Sequence, residues 1–369
     1  MNHETIIWCS VGIALLLTFI VIPQVINVSL LKRLHDKPDG RKIHNGIIPR
    51  LGGLSFLPVI LITFGIVLSI GIGNEGAVSA DLVMPIERYL PSVAVLFGAM
   101  GILYLVGLND DIVGLKYFTK LTAQILSGIL IVSSGLYIAD FDGLFGIEEV
   151  GAIGGAALTC FLIVYIINAL NLIDGIDGLA SGMSIVAFVG YGIMLYTEGF
   201  IVYSILSWIG VGTVGAFFMF NVFGKKRKHT KIFMGDIGSL TIGLLLAFMV
   251  IVIGNFPESV KVRYNPILYA LSPLMLPLFD LIRVFLVRLA ARKSPFLPDK
   301  RHIHHVMMNS GISPALVLIW LLIVQIGIIV ANIYISPALG INWTVLIDLA
   351  IYLVVLSVCW GWKRLVKNK

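Results

Sequence analysis

The sequence predicts an all-α polytopic membrane protein with about eleven transmembrane helices, its N-terminus outside and its C-terminus cytoplasmic. Three observations carry that expectation. Of 369 residues, 58% are hydrophobic and only 12% are charged, about half the charge of a soluble protein, and the mean hydropathy is +1.00. A water-soluble globule of this size cannot hide so much apolar surface. Apolar runs long enough to cross ~30 Å of hydrocarbon as helices recur along the whole chain. Positive charge, finally, gathers in alternate loops. The same composition excludes a disordered, collagen-like, coiled-coil or disulfide-stapled chain.

In chain order the predicted spans run from Ile6 to Leu31, Leu51 to Ile72, Leu90 to Leu108, Phe118 to Ile138, Val150 to Ala169 and Leu179 to Tyr196. They continue from Phe200 to Phe220, Ile237 to Ile253, Ile267 to Leu289, Ile312 to Ile333 and Trp343 to Trp360. At ~20 residues each they account for about 220 residues, so residues 1–369 read as one membrane domain. The first run has no basic segment before it and is too long for a signal-peptide core, so it reads as a permanent helix. Cys9, Cys160 and Cys359 lie in separate apolar runs without metal-type spacing and read as packing residues.

Lys32, Arg33, Lys37, Arg41, Lys42 and Arg50 share one loop, and Lys116 and Lys120 another. Lys225, Lys226, Arg227, Lys228 and Lys231 follow, then Arg292, Lys293, Lys300 and Arg301, and finally Lys363, Arg364, Lys367 and Lys369. The opposite loops hold Arg88, Lys261 and Arg263. The positive-inside rule makes the crowded side cytoplasmic, and an odd span count then puts the N-terminus outside. The net charge of +6 is therefore a bilayer signal, and no nucleic-acid partner is expected.

Ionisable groups at membrane depth are costly and mark function. Four clusters fall at cytoplasmic span ends. In Gly107 to Leu115, followed by Lys120 and Gln124, adjacent Asp110 and Asp111 repel unless a cation lies beside them; Mg²⁺ is the natural one, and a solvated turn is the plainer reading. In Asn168 to Ala180, polar residues recur at 168, 171, 174 and 177, which keeps oxygen ligands on one helical stripe, while Gly175 and Gly178 allow close approach. The spacing does not fit an EF-hand, and capping explains one such residue rather than four. In Lys231 to Leu240, Gly-Asp-Ile-Gly-Ser opens an apolar helix whose free N–H groups favour an anion, with Asp236 beside them for a metal; simple helix capping by Asp236 or Ser239 is the alternative.

In Pro295 to His305, three histidines follow Lys300 and Arg301. Zinc would need Cys or His-Glu-x-x-His partners, so these imidazoles suit diphosphate or sugar oxygens better. A fifth element, His44 to Gly53, reads equally as a binding loop through His44 and as a turn before a helix.

In this order, Asp-Asp, Asn-Ala-x-Asn-x-x-Asp-Gly-x-Asp-Gly-Leu-Ala, Phe-Met-Gly-Asp-x-Gly-Ser and Pro-Asp-Lys-Arg-His-Ile-His-His resemble the polyprenyl-phosphate N-acetylhexosamine-1-phosphate transferases over nearly the whole chain. The His-x-His-His form is similar to the branch using UDP-N-acetylglucosamine. The resemblance implies transfer of N-acetylglucosamine-1-phosphate from UDP-N-acetylglucosamine to undecaprenyl phosphate, releasing UMP, at the cytoplasmic face of a bacterial inner (plasma) membrane. The same chemistry on another UDP-N-acetylhexosamine or on UDP-muramyl-pentapeptide is the alternative.

The resemblance further implies Mg²⁺, or Mn²⁺ in its place, on Asp111, Asn171 and Asp236. Asp110, Asp111, Lys120, His302, His304 and His305 would be catalytic, with Arg301 beside the histidines. Phe233 and Asp177 would hold the uracil, supported by Asn221 and Asp174, with Asn168 and His44 also in contact with substrate. The bilayer is a partner through the lipid substrate, and a homodimer is an open assembly state.

The rival class is a cation-coupled carrier, which calls for polar groups near mid-span reached from both faces, and often an internal repeat. Here the acids gather at one side, and Asp280, one turn from Arg283, reads as a structural pair. Asp348 in the last span has no reading.

Overall fold

The computed structural model describes residues 2–32, 34, 48–73, 80–256, 265–294 and 301–367. Helix α1 (His3–Leu31) is followed by a 3-10 turn (Gly52–Ser55), α2 (Phe56–Gly73), α3 (Ala80–Val113) and α4 (Tyr117–Ser133). A hairpin of β1 (Asp140–Leu144) and β2 (Ile147–Glu149) leads to α5 (Gly151–Ile173), α6 (Leu179–Thr197), α7 (Ile201–Phe218) and α8 (Gly235–Gly254). Helix α9 (Pro266–Leu271) continues through a 3-10 turn (Ser272–Leu274) into α10 (Met275–Ala290), and α11 (Ile303–Met308) precedes the long α12 (Pro314–Lys367).

Among the described residues, nine helical segments are long and apolar enough to cross a membrane. The last, Pro314–Cys359, has 46 residues, about 69 Å of helix at 1.5 Å per residue and twice what one crossing needs. It is broken at Gly340, where φ is +74°. The amide of Asn332 donates to Asp348 Oδ2 at 2.8 Å, although 16 residues of straight helix would hold the two about 24 Å apart. The halves therefore fold back on each other and make two passes. With the shorter apolar helix Tyr117–Ser133, the described residues hold eleven apolar helical stretches, the number of spans expected from the sequence.

One short strand pair interrupts the otherwise helical chain. The segment carrying Asp140, Asp142, Glu148 and Glu149 pairs as an antiparallel hairpin, Asp140 opposite Glu149 and Leu144 opposite Ile147. Its two-residue turn, Phe145-Gly146, holds both residues at positive φ (53° and 80°), the arrangement that matches strand twist. Asn342 clamps the hairpin by accepting from the Phe145 N–H at 2.6 Å and donating to the Gly143 carbonyl at 3.0 Å.

Helix α8 organises the bundle. Every residue from Ile237 to Gly254 is buried, as an apolar-all-round helix requires. Helices α3 and α5 pack along it, so its first turn faces the C-terminal ends of both.

Candidate active site

The start of α8 leaves N–H groups without helical partners. Asp111, in the last turn of α3, supplies the cap from another helix: its Oδ1 accepts the N–H of Asp236 at 2.9 Å and its Oδ2 that of Ile237 at 3.0 Å. These two N–H groups, expected to be free for an anion, are thus occupied by a carboxylate. Gly235 makes the approach possible, since it sits at φ +72° and a Cβ there would lie 2.4 Å from Asp111 Oδ2.

Around this junction the polar motifs interlock. Lys120 Nζ donates at 2.9 Å to Asp110 Oδ2 and at 2.9 Å to Asp236 Oδ2. The Asn171 amide donates at 2.6 Å to Asp236 Oδ1 and at 2.7 Å to Ser239 Oγ. Asp110 also accepts the Leu115 N–H at 2.6 Å, fixing the turn between α3 and α4.

Asn221 joins two other stretches. Its Oδ1 accepts the Gly178 N–H at 2.6 Å and its amide donates to the Ile232 carbonyl at 2.9 Å. Lys231 then reaches Asp177 as an ion pair. Phe233 donates its N–H to the Pro49 carbonyl, and Gly52 and Gly53 donate to the carbonyls of Phe233 and Met234, so the 48–53 segment forms one wall. Burial raises the Asp174 carboxyl to about 7, the charges of Asp236, Asp177 and Asp111 push the same way, and Arg50 opposes them.

The histidines close the opposite wall. His304 is fully buried, and a Cβ on Gly175 would fall 2.1 Å from its Nε2, so the imidazole rests directly on the Asp-Gly-Ile-Asp-Gly turn. Burial pushes this imidazole down to about 3, with His305 adding to the effect, so it is neutral at neutral pH. Its ring lies 6.0 Å from that of His302 at 8° and 4.2 Å from that of His305.

Residues 93–254 match the Glycosyl transferase family 4. The chain is 33% identical over 306 residues, 80% of its own length and 76% of the relative's, to the undecaprenyl-phosphate alpha-N-acetylglucosaminyl 1-phosphate transferase of Escherichia coli (strain K12). Its likeness to the Yersinia pestis protein of the same name is 32% over the same span. The chain belongs to Glycosyl transferase family 4.

This is the polyprenyl-phosphate N-acetylhexosamine-1-phosphate transferase family that the motifs resemble, and the chain is a multi-pass membrane transferase of it. Family 4 chemistry raises the question of a divalent cation. Among the described residues, no three His, Cys, Asp or Glu side chains form a ready metal cage. The donor set nevertheless suits a hard cation: among the described residues, Asp110, Asp111, Asp174, Asp177 and Asp236 are met by the cations Lys120, Lys231 and Arg50, and the ligand atoms are oxygens. Asn171 turns its amide nitrogen to Asp236, and a half-turn of that amide would present oxygen instead.

Of the residues read from sequence, Asp110, Asp111, Lys120, Asn171 and Asp236 meet in one cluster, with Asp174, Asp177, Asn221 and Phe233 beside it. Asn168 stands deeper, donating to Gln124 Oε1 at 2.6 Å and to the Val164 carbonyl, and so ties α5 to α4. Asp110 and Asp111 belong to the end of α3 rather than to a loop. His44 lies outside the described residues. Two partners escaped the sequence reading. Lys231, a loop charge at the head of its motif in the sequence, pairs with Asp177, and the Asp280 carboxylate holds His302 at 2.8 Å besides Arg283.

Proposed function

We propose that this chain transfers N-acetylglucosamine-1-phosphate from UDP-N-acetylglucosamine to undecaprenyl phosphate, giving undecaprenyl-diphospho-N-acetylglucosamine and UMP. The observation that carries the reading is the meeting of Asp110, Asp111, Asn171 and Asp236, drawn from three stretches 60 to 126 positions apart, with Lys120 at one point beside a helix end. The names of the relatives give the acceptor, undecaprenyl phosphate, and the transferred N-acetylglucosaminyl 1-phosphate. The positive-inside rule applied to the basic loops supports a cytoplasmic face for this end of the bundle, where nucleotide sugars are available.

A lipid phosphate oxygen attacks the phosphorus that bears the sugar, a new P–O–P link forms, and the bond to the UMP oxygen breaks. Both partners are anions, so the site must cancel charge and hold them in line. Asp111, Asn171 and Asp236 are the residues that would hold Mg²⁺ or Mn²⁺, which supplies charge neutralisation on the diphosphate. Lys120 neutralises charge on the attacking or transferred phosphoryl oxygens, and Asp110 sets the position of Lys120. Phosphate oxygen is already a fair nucleophile, so Asp110 needs only to orient it. Phe233 and Asp177 face the uracil, and His302, His304, His305 and Arg301 meet the sugar and diphosphate. The lipid tail stays in hydrocarbon beside α3 and α4, which explains a membrane fold for this chemistry.

Purified protein with labelled UDP-N-acetylglucosamine, undecaprenyl phosphate and Mg²⁺ tests the proposal. UMP release that depends on all three is expected, and competition among UDP-sugars reads the donor. An absence of UMP under these conditions refutes it.

A further inference from the structure

Asp280 is 1% exposed in α10, a place where an ionised side chain is expensive. Four donors meet its carboxylate. Oδ1 accepts from Arg283 Nη2 at 2.8 Å, Tyr352 OH at 2.9 Å and the Ile303 N–H at 3.0 Å, while Oδ2 lies 2.8 Å from His302 Nδ1. Arg283 extends the network through Nε to the Tyr352 hydroxyl at 2.6 Å and through Nη2 to the Arg301 carbonyl at 2.5 Å. Three distant stretches are thereby locked: the middle of α10, the Arg301-His302-Ile303 approach to α11, and the second pass of α12. A surface-style ion pair between residues three apart needs none of this.

The consequence for His302 is chemical. An ionised carboxylate only accepts, so the proton shared with Asp280 resides on Nδ1 and the ring presents Nε2 elsewhere. That Nε2 is buried and has no hydrogen-bond partner among the described residues, as is true of both ring nitrogens of His304 stacked beside it. A buried nitrogen without a partner is costly, and three together in one wall mark a place prepared for a ligand's polar atoms. With the proton on Nδ1, Nε2 carries the lone pair and accepts from a hydroxyl.

We propose that Asp280 is a positioning residue that acts through His302: with Arg283 and Tyr352 it fixes the tautomer and plane of that imidazole, so that Nε2 accepts a hydrogen bond from a sugar hydroxyl of the donor substrate. This rests on the transferase reading above. Asp280→Asn keeps the shape but offers an N–H to Nδ1, which reverses the tautomer.

The test is a double-mutant cycle on UMP release with purified full-length protein, comparing wild type, Asp280→Asn, His302→Ala and the double variant, with thermal unfolding of each. Asp280→Asn is expected to lower kcat by about 10²–10³-fold while the KM for UDP-N-acetylglucosamine stays within about threefold, and the double variant should be no slower than His302→Ala. Losses that multiply, or near wild-type turnover in Asp280→Asn, overturn the inference. If Asp280→Asn does not fold, Tyr352→Phe takes its place in the cycle, with a smaller kcat loss that must again vanish in the His302→Ala background. Wild-type activity is the separating control: inactive wild type refutes the transferase reading, whereas active wild type with multiplying losses refutes only the role of Asp280.

Discussion

Replacing Gly175 with Ala probes the contact between the Asp-Gly-Ile-Asp-Gly turn and the histidines. The new Cβ would stand 2.1 Å from His304 Nε2, 2.8 Å from Cε1 and 3.0 Å from Cδ2. Relief to an ordinary ~3.5 Å contact demands that the ring move by about 1.4 Å. Gly175 is not among the residues at positive φ, so the backbone tolerates Ala and the strain falls on the imidazole. A displacement of ~1 Å in a positioned group costs about 10²-fold in rate, whereas stability should change by less than ~1 kcal/mol because Ala also reduces the freedom of the unfolded chain.

UMP release and thermal unfolding on the same preparation read both quantities. Gly178→Ala is the contrast: Gly178 sits at φ +84° and its Cβ would lie 2.5 Å from Val222, so that change should lower stability by roughly 1–3 kcal/mol. Gly175→Ala with more than half the wild-type rate would mean that the His304 ring position does not govern turnover.

Three further outcomes are expected. Lys120→Met leaves Asp110 and Asp236 without their shared ammonium and should reduce kcat by about 10²–10³-fold at saturating donor, measured as initial UMP release. Asp174, held near 7 when folded against 3.8 as a free group, keeps a proton that the unfolded chain loses, so its contribution to stability is present below pH ~4 and is lost as pH rises to 7. Asp174→Asn should match wild type near pH 4 and exceed it at pH 8, by roughly 2 kcal/mol once water in the cleft is allowed for, in thermal scans across pH without added divalent cation. Asn332→Ala and Asp348→Ala should each lower stability by about 1–2 kcal/mol, and the pair by clearly less than the sum, because one 2.8 Å hydrogen bond joins the last two passes.

The spans were legible because the bilayer imposes a length and a polarity that composition displays directly. Their partners were not. Asp111 reads in sequence as one half of an acidic pair, yet it caps a helix that begins 124 positions later, and no local pattern announces a cap supplied from elsewhere. The polar stripe at 168, 171, 174 and 177 was visible as periodicity, but its members diverge: Asn168 braces α4, Asn171 meets Asp236, and Asp177 meets Lys231. Asp280 was visible as a charge in an apolar span with a convenient neighbour at i+3. That neighbour satisfied the local question and concealed the tertiary one, because Tyr352 and His302 come from segments 72 and 22 positions away.

The depth of the acids bears on what kind of machine this is. A carrier needs ionisable groups that exchange partners as access alternates between the two faces. Asp280 has four donors fixed from three segments, and Asp348 joins the two passes of the α12 helical hairpin, so both deeper acids are engaged in holding helices together. Asp110, Asp111, Asp174 and Asp236 instead gather around the first turn of α8, with Asp177 paired to Lys231 just before it. A buried, apolar α8 gives that turn a rigid seat, and the caps and ion pairs from α3, α4 and α5 aim at it. Such a site favours catalysis at one membrane face, because its geometry is built to stay still while a lipid and a nucleotide sugar come to it.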